Sequence, residues 1–173
     1  VDVPAEMMTD NPEEVLADSE IDVIVETIGG VDPAKELVIE ALKAGKHVVT
    51  ANKEMIAKHG GELLELADEN GVDLYFEASV GGGIPIIRSL KESLTANQIQ
   101  GIMGIVNGTT NYILTKMIQE GAKFDDVLAK AQKKGYAEPD PTADIEGYDA
   151  AYKLSILSAI AFGSPVNVED IHL

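Results

Sequence analysis

The stretch IDVIVETIGG, Ile21 to Gly30, decides the fold class. Its residues 21–27 form a short, nearly continuous apolar run that is rich in β-branched side chains and ends before a pair of glycines. Such a run is typical of a strand that is buried on both faces of a parallel sheet. We therefore expect a fully buried parallel strand here, with the neighbouring segments packed around it.

Helix and strand patterns alternate on both sides of this run. The preceding segment NPEEVLADSE begins like a helix, with Asn11 as a possible N-cap and Pro12 at the first helical position. A helix at 32–46, a strand at 47–53, a helix with a Gly-Gly interruption at 54–71 and a strand from residue 72 follow. The order α-β-α-β-α-β predicts an α/β fold with a parallel sheet covered by helices on both faces.

The carboxyl ends of the three predicted strands read ETIGG, VTANK and EASVGGG. In parallel sheets ligands bind beyond this edge, although glycine also serves tight turns, so one such end would carry no information. Three such strand ends in one sheet favour a ligand-binding edge. A complete dinucleotide-binding fold begins with a strand that leads into GxGxxG, which residues 1–20 do not contain. We therefore expect residues 1–79 to form the C-terminal half of a Rossmann-type parallel sheet.

From about residue 80 the pattern changes to that of an α+β domain, which we expect to span residues 80–173. A helix with Pro85 in its first turn precedes a predicted strand from Ile99 to Val106 and a polar turn at 107–110. Glycine commonly closes helices, and three further helices are predicted to end at Gly121, Gly135 and Gly163.

The composition restricts the partners of the chain. The net charge of −17 repels phosphate backbones and anionic lipid, so we expect no nucleic acid and no membrane as a partner. The absence of cysteine excludes thiol chemistry and fits a reducing cytoplasm, and the N-terminal residues lack the features of a signal peptide. The three histidines, His47, His59 and His172, are too far apart to indicate a metal site.

The stretch GYAEPDPTADIEGYDAAYK, residues 135–153, concentrates carboxylates ahead of a single lysine. Its two prolines predict a stiffened loop that carries Glu138, Asp140 and Asp144. If a helix begins near residue 147, Asp149 and Lys153 are i and i+4 and share one face. The pair is either an exposed surface ion pair or part of a site on a nearly all-apolar, buried helix. The spacing alone leaves both interpretations open.

Two further segments carry candidate ligand-binding groups. Lys53 ends the strand segment VTANK, close to a helix N-terminus, where a lysine is unfavourable unless it faces solvent or binds an anionic or alcohol ligand. The segment NGTTN, residues 107–111, offers backbone N–H groups and hydroxyls that could bind a carboxylate. An ordinary N-cap by Asn107 or Thr109 explains it equally well.

Four segments together resemble the homoserine dehydrogenase family: VVTANK, EASVGGGIPII, GIVNGTTNYIL and GYAEPDPTADIEGYDAAYKL. The resemblance covers essentially the whole chain. It implies an enzyme that interconverts L-homoserine and L-aspartate 4-semialdehyde with NADP or NAD, in the biosynthesis of threonine and methionine. It also implies a homodimer in which residues 80–173 belong to a substrate and dimerisation domain.

The resemblance implies roles for individual residues. The acid/base residue is Lys153, supported by Asp149, with Lys53 as the second lysine of the site. The residues implied to bind substrate are Tyr136, Glu138, Asp144, Gly108 and Thr109. Those implied to face the cofactor are Thr27, Ile28, Gly29, Gly30 and Lys53. A monovalent cation, Na⁺ or K⁺, would be held by Glu77 and by the carbonyls of Val80, Gly82 and Ile84.

Other functions stay open at this point. One is a related dehydrogenase that acts on another small amino-acid-derived substrate. Another is a non-catalytic module that dimerises by pairing residues 99–106 across a two-fold axis. Without the glycine-rich strand and turn, we expect this chain alone to bind dinucleotide weakly and to turn over little substrate.

Overall fold

The chain divides after Pro85 into two units, Val1–Pro85 and Ile86–Leu173, in the computed structural model, which describes residues 2–173. The division lies six residues beyond the boundary expected from the sequence. Buried Val80 belongs to the first unit, because the loop after the last strand stays packed in that unit's core.

Three short parallel strands form the sheet of the first unit in the spatial order β1-β2-β3: β1 Val23–Glu26, β2 His47–Thr50 and β3 Leu74–Tyr75. Ile24 pairs with Val48 in register, and Val48 pairs with Leu74. Helix α1 Pro12–Ala17 precedes β1, and the helices between the strands are α2 Ala34–Lys43 and α3 Lys53–Glu69. The predicted alternation of helices with parallel strands is confirmed.

The sheet is covered on one face and open on the other, unlike the predicted sheet with helices on both faces. Val48 and Leu74 lie in the core with side chains of α2 and α3. On the opposite face, Val23, Val25 and Tyr75 are 48%, 66% and 58% exposed. The prediction of a fully buried β1 is therefore wrong, because β1 lies at the edge of the sheet and alternate side chains point to the open face.

Helix α3 runs without a break through Gly60 and Gly61, so the predicted interruption is wrong. Gly60 is buried, and a Cβ atom at this position would lie 3.3 Å from the side chain of Ile56. The small residue permits close packing while the helical backbone continues. Asn52 is the N-cap of this helix, and its side chain accepts a hydrogen bond from Met55 N.

The second unit is helical: α4 Ile86–Arg88 continues into a π-helical turn at Ser89–Ser93, and α5 Gly108–Glu120, α6 Phe124–Lys133, α7 Thr142–Ile145 and α8 Tyr148–Phe162 follow. Helix α5 packs on α6, and Ile113 and Val127 are almost completely buried. The predicted helix ends are confirmed at Gly121 and Gly163, which both adopt left-handed backbone conformations. No helix in residues 2–173 is long and apolar enough to cross a bilayer.

The predicted strand from Ile99 to Val106 is wrong, because this segment has no regular secondary structure. Met103 is fully exposed and Ile105 is 78% exposed. A strand requires a neighbouring strand for its backbone hydrogen bonds, and the described part of the second unit contains none. The alternating apolar side chains of this segment are therefore not enough to make it a strand.

The acid-rich segment contains a helical turn where the sequence predicted only a loop. Asp144 lies in α7, whose start is fixed by Asp140. The Asp140 carboxylate accepts hydrogen bonds from Thr142 N at 3.1 Å and from Thr142 Oγ1 at 2.6 Å. These bonds lower the pKa of Asp140. Pro141 is the N-cap residue of this short helix, and its carbonyl oxygen accepts from Asp144 N at 2.9 Å, so the proline is compatible with the turn.

We predict that Lys46→Met destabilises the first unit by about 1.5–3 kcal/mol. Lys46 is buried, and its Nζ donates to Asp18 O at 2.6 Å and to Ile21 O at 2.7 Å, which fixes the entry into β1. Methionine keeps most of the volume and removes both bonds. Chemical denaturation measures the loss, with Lys43→Met on the exposed end of α2 as the matched control. Equal midpoints for both variants would contradict this role for Lys46.

Candidate active site

Asp149 and Lys153 form an ion pair on the first turns of α8. Lys153 Nζ lies 2.7 Å from Asp149 Oδ2 and donates a second hydrogen bond of 2.7 Å to Val106 O. The Asp149 side chain is 4% exposed and that of Lys153 is 16% exposed. The pair is therefore not the exposed surface pair that the spacing left open. The outer face of α8 is less buried than predicted, since Leu154 and Phe162 are 44% and 48% exposed.

Asn107 joins this pair to a second carboxylate. Its Nδ2 atom donates to Asp144 Oδ1 at 2.7 Å and to Asp149 Oδ2 at 2.8 Å. Its Oδ1 atom accepts from both the backbone N and the hydroxyl of Thr110 at 2.8 Å. Asn107 is thus the N-cap of α5, one of the two alternatives from the sequence, and also a bridge that the sequence did not indicate.

An open cavity of about 720 Å³ lies over these groups. Its lining brings together the N-terminus of α5, the acidic helical turn and α8, through Asn107, Gly108, Thr109, Tyr112, Lys116, Lys134, Tyr136, Asp144, Asp149 and Lys153. The lining contains both predicted catalytic residues of this unit, Asp149 and Lys153. It also contains four of the five predicted substrate-binding residues: Gly108, Thr109, Tyr136 and Asp144. The fifth, Glu138, lies outside the lining. Glu138 is exposed, and its backbone oxygen accepts from the Gln132 side chain at 3.2 Å.

Two tyrosines and two lysines lie on the cavity wall, and only one of the four was predicted as a site residue. Tyr112 and Tyr136 pack edge to face with ring centroids 5.2 Å apart, and Lys134 Nζ lies 5.6 Å and 5.9 Å from the two centroids. Lys116 is paired with Glu120, which raises the pKa of the lysine and lowers the pKa of the glutamate. Only Tyr136 came from sequence motifs, because Tyr112, Lys116 and Lys134 match ordinary helix-surface patterns.

Four of the five predicted cofactor-facing residues, Thr27, Ile28, Gly29 and Gly30, form a loop after β1. Gly29 and Gly30 have φ angles of +81° and +69°, and a Cβ atom at either position would meet no atom within 4 Å. Ile28 is 57% exposed beside them. Lys53 is the first residue of α3, directly after the N-cap Asn52. The open backbone of this loop can admit a flat ring at close range.

The predicted cation-binding loop also lies within the first unit. Glu77 begins a 3-10 turn, Glu77–Ser79, and Ile84 N donates to Gly81 O at 2.7 Å, which closes the turn that follows. One carboxylate and several carbonyl oxygens are suitable ligands for a hard monovalent cation. Residues 2–173 contain no cluster of three or more His, Cys, Asp or Glu side chains that could hold a metal ion. A site here would therefore depend on backbone oxygens.

Comparison with known proteins gives one family for both units. Residues 85–173 match the family model described as homoserine dehydrogenase, and residues 1–77 match that of the homoserine dehydrogenase NAD-binding domain. The chain belongs to the homoserine dehydrogenase family. The two matches meet close to the division between the units, and the resemblance of the four sequence segments is confirmed.

Individual members of the homoserine dehydrogenase family are similar over nearly the whole chain. The homoserine dehydrogenase of Bacillus subtilis is 53% identical over 171 residues, 99% of this chain and 40% of that protein. A crystal structure of a homoserine dehydrogenase from Thiobacillus denitrificans has a TM-score of 0.90 at 60% identity, covering 93% of this chain and 37% of that one.

A hyperthermophilic archaeal homoserine dehydrogenase in complex with NADPH has a TM-score of 0.82 at 37% identity, covering 94% of this chain and 52% of that one. The chain spans about 40% of the length of the curated relatives that it matches.

We predict that Asn107→Asp lowers the free energy of unfolding of the second unit by about 1–3 kcal/mol near neutral pH. Aspartate keeps the cap acceptor for Thr110 but places a third carboxylate where Asp144 and Asp149 receive their shared donor. The loss should shrink as the pH falls, because protonation of one carboxyl group supplies a donor and removes the repulsion.

Chemical denaturation at several pH values measures this effect. Asn111→Asp, which adds the same charge at an exposed position one turn into α5, is the matched control. A deficit for the Asn107 variant that is independent of pH, or equal to that of the control, would contradict the role of the Asn107 amide as a bridge between the two carboxylates.

Proposed function

We propose that the protein containing this chain interconverts L-homoserine and L-aspartate 4-semialdehyde with NAD or NADP as the oxidant or reductant. Membership of the homoserine dehydrogenase family supports the reaction class. The observation that carries the proposal is the ion pair of Asp149 and Lys153 at the wall of a cavity. A lysine held by an aspartate is suited to exchange a proton with a substrate hydroxyl.

The geometry of Lys153 fits a general acid/base. An ammonium group has three N–H donors, and two of them are directed to Asp149 Oδ2 and Val106 O. These two bonds fix the group and leave one position toward the cavity for a substrate oxygen. In the oxidation direction neutral Lys153 accepts the hydroxyl proton on its lone pair, and in reduction the ammonium returns it.

The other groups of the cavity suit a zwitterionic amino acid. Asp144 on the cavity wall can bind the substrate ammonium, and the backbone N–H groups of Gly108 and Thr109 lie at the N-terminus of α5, which favours a carboxylate. Tyr136 supplies a further polar group, and Thr109 Oγ1 donates to Tyr136 O at 2.9 Å. Glu138 would have to turn inward from its exposed position to join Asp144.

The first unit is proposed to hold the nicotinamide end of the cofactor. NAD or NADP, when bound, accepts the hydride from the substrate carbon as the hydroxyl proton leaves. Thr27, Ile28, Gly29 and Gly30 would face the ring, and Lys53 would lie by the nicotinamide ribose. The NADPH complex of an archaeal family member supports the choice of ligand. The open glycine backbone at 29–30 fits a flat ring.

Homodimerisation and a cytoplasmic location stay predictions. The exposed apolar segment at 99–106, with Met103 fully exposed, supports a surface that another chain covers. The absence of cysteine supports a reducing compartment.

We predict that Lys153→Arg, in the protein expressed from its complete reading frame, lowers kcat for homoserine oxidation at least ~100-fold while preserving the fold. Arginine keeps the positive charge beside Asp149 but cannot deprotonate at working pH. Steady-state kinetics with L-homoserine measures the effect, and Lys133→Arg on the exposed end of α6 is the matched control. Unchanged kcat in the Lys153 variant would remove this lysine from proton transfer and favour a non-catalytic role of this unit.

We also propose that Glu77, with the carbonyls of Val80, Gly82 and Ile84, binds a monovalent cation that stabilises this loop. Glu77→Gln removes the one charged ligand, so the expected result is a weaker dependence of thermal stability on K⁺ or Na⁺ relative to choline. Differential scanning fluorimetry at constant ionic strength measures it, with Glu65→Gln on α3 as the control. The same ion dependence in wild type and the Glu77 variant would contradict the site.

A further inference from the structure

A buried carboxylate that the proposed reaction does not use lies at the carboxyl end of β1. Glu26 is 4% exposed, and it accepts hydrogen bonds from Ile28 N at 2.6 Å and from Gly29 N at 3.3 Å through the same oxygen, Oε1. Its other oxygen accepts from the Thr50 hydroxyl at the end of β2. One side chain therefore holds the loop after β1 and ties it to the neighbouring strand.

The hydrogen bonds continue from Thr50 to the start of α3. Thr50 is completely buried, and its Oγ1 accepts from Asn52 N at 2.9 Å. Asn52 Nδ2 donates to Gly30 O at 2.5 Å, and Asn52 Oδ1 accepts from Met55 N at 3.1 Å. Glu26, Thr50 and Asn52, which we call the loop anchor, thus bind both ends of the Ile28–Gly30 segment and cap the helix that begins at Lys53.

The loop needs such an anchor because its own residues do not define its shape. Gly29 and Gly30 both have positive φ, and glycine has the largest conformational freedom of all residues. Ile28 is more than half exposed, so little packing holds it. Hydrogen bonds to an ionised carboxylate are stronger than those between neutral groups, which makes Glu26 an effective fixed point in a buried setting.

We propose that the loop anchor is a positioning device: Glu26, with Thr50 and Asn52, holds residues 28–30 and the first residue of α3 in the geometry that receives the nicotinamide ring. This inference rests on the proposed cofactor role of the loop and Lys53. None of the three side chains needs to touch the cofactor. Their effect is to order the loop before binding, which reduces the entropy lost when the ligand binds.

The test compares four substitutions in the protein expressed from its complete reading frame. Glu26→Gln keeps the shape, but its amide cannot accept from both the loop N–H groups and the Thr50 hydroxyl. Thr50→Val removes the hydroxyl at nearly constant volume, and Thr50→Ser restores it. Glu36→Gln on the exposed face of α2 is the matched control for the loss of charge.

Two measurements are made on each protein: amide hydrogen exchange of residues 27–30, and the dissociation constant for NADPH and for NADH from their fluorescence. We expect Glu26→Gln and Thr50→Val to exchange faster at Ile28 and Gly29 and to bind the preferred dinucleotide at least ~10-fold more weakly, because small displacements of positioning groups have large effects. Thr50→Ser and Glu36→Gln should match wild type, and KM for homoserine should change less than twofold in all four.

The outcomes separate this inference from the proposed function. If the wild-type protein binds a dinucleotide and the Glu26 and Thr50→Val variants bind it equally well, the loop anchor has no positioning role, whether or not exchange is faster. Unchanged exchange at residues 27–30 in both variants would also overturn it. If wild type binds neither dinucleotide, the proposed function itself fails, and the inference fails with it. Should Glu26→Gln not fold, the pair Thr50→Val and Thr50→Ser gives the same decision.

Discussion

Each unit of this chain is organised around a buried carboxylate whose charge must be satisfied. Burial of an ionised carboxylate costs several kcal/mol unless hydrogen bonds or an opposite charge compensate for it. Glu26 in the first unit and Asp149 in the second are 4% and 3% exposed. Besides local donors, each receives one donor from a distant part of the sequence, Thr50 for Glu26 and Asn107 for Asp149. Satisfying each carboxylate therefore joins elements that the sequence separates.

The two carboxylates are satisfied in different ways, and the difference matches their proposed roles. Glu26 receives backbone N–H groups and a hydroxyl, which are neutral donors that hold a loop in place and do not act as an acid or a base toward a substrate. Asp149 receives a neutral amide and the ammonium of Lys153. Only the second arrangement contains a group that can both lose and regain a proton. The proposed positioning role thus belongs to the first unit and the proposed proton transfer to the second.

The sequence predicted the structural features that depend on local patterns, and it missed those that depend on contacts with distant residues. Helix ends at Gly121 and Gly163 follow from backbone geometry that glycine adopts readily, and they were predicted. The strand at 99–106 failed because a strand needs a partner that the described second unit lacks. The long-range bonds of Glu26 and Asn107 were missed because a glutamate at the end of a strand and an asparagine before a helix have common local roles. Only the folded chain shows that each also bonds a distant element.

The charges on the cavity wall explain why the acid-rich segment holds a lysine. Asp144 and Asp149 share the Nδ2 donor of Asn107, so the two carboxylates lie close together and repel each other. Lys153 neutralises one of these two charges, since its Nζ binds Asp149 directly. Among Asp144, Asp149 and Lys153 one negative charge remains, beside a helix N-terminus that favours a carboxylate, and Lys116 and Lys134 are the other charged residues of the same lining. A ligand with both an ammonium and a carboxylate compensates both the remaining negative charge and the positive end of the helix, whereas a simple alcohol compensates neither. The same charges that keep the lysine in place therefore support the proposal of an amino-acid substrate.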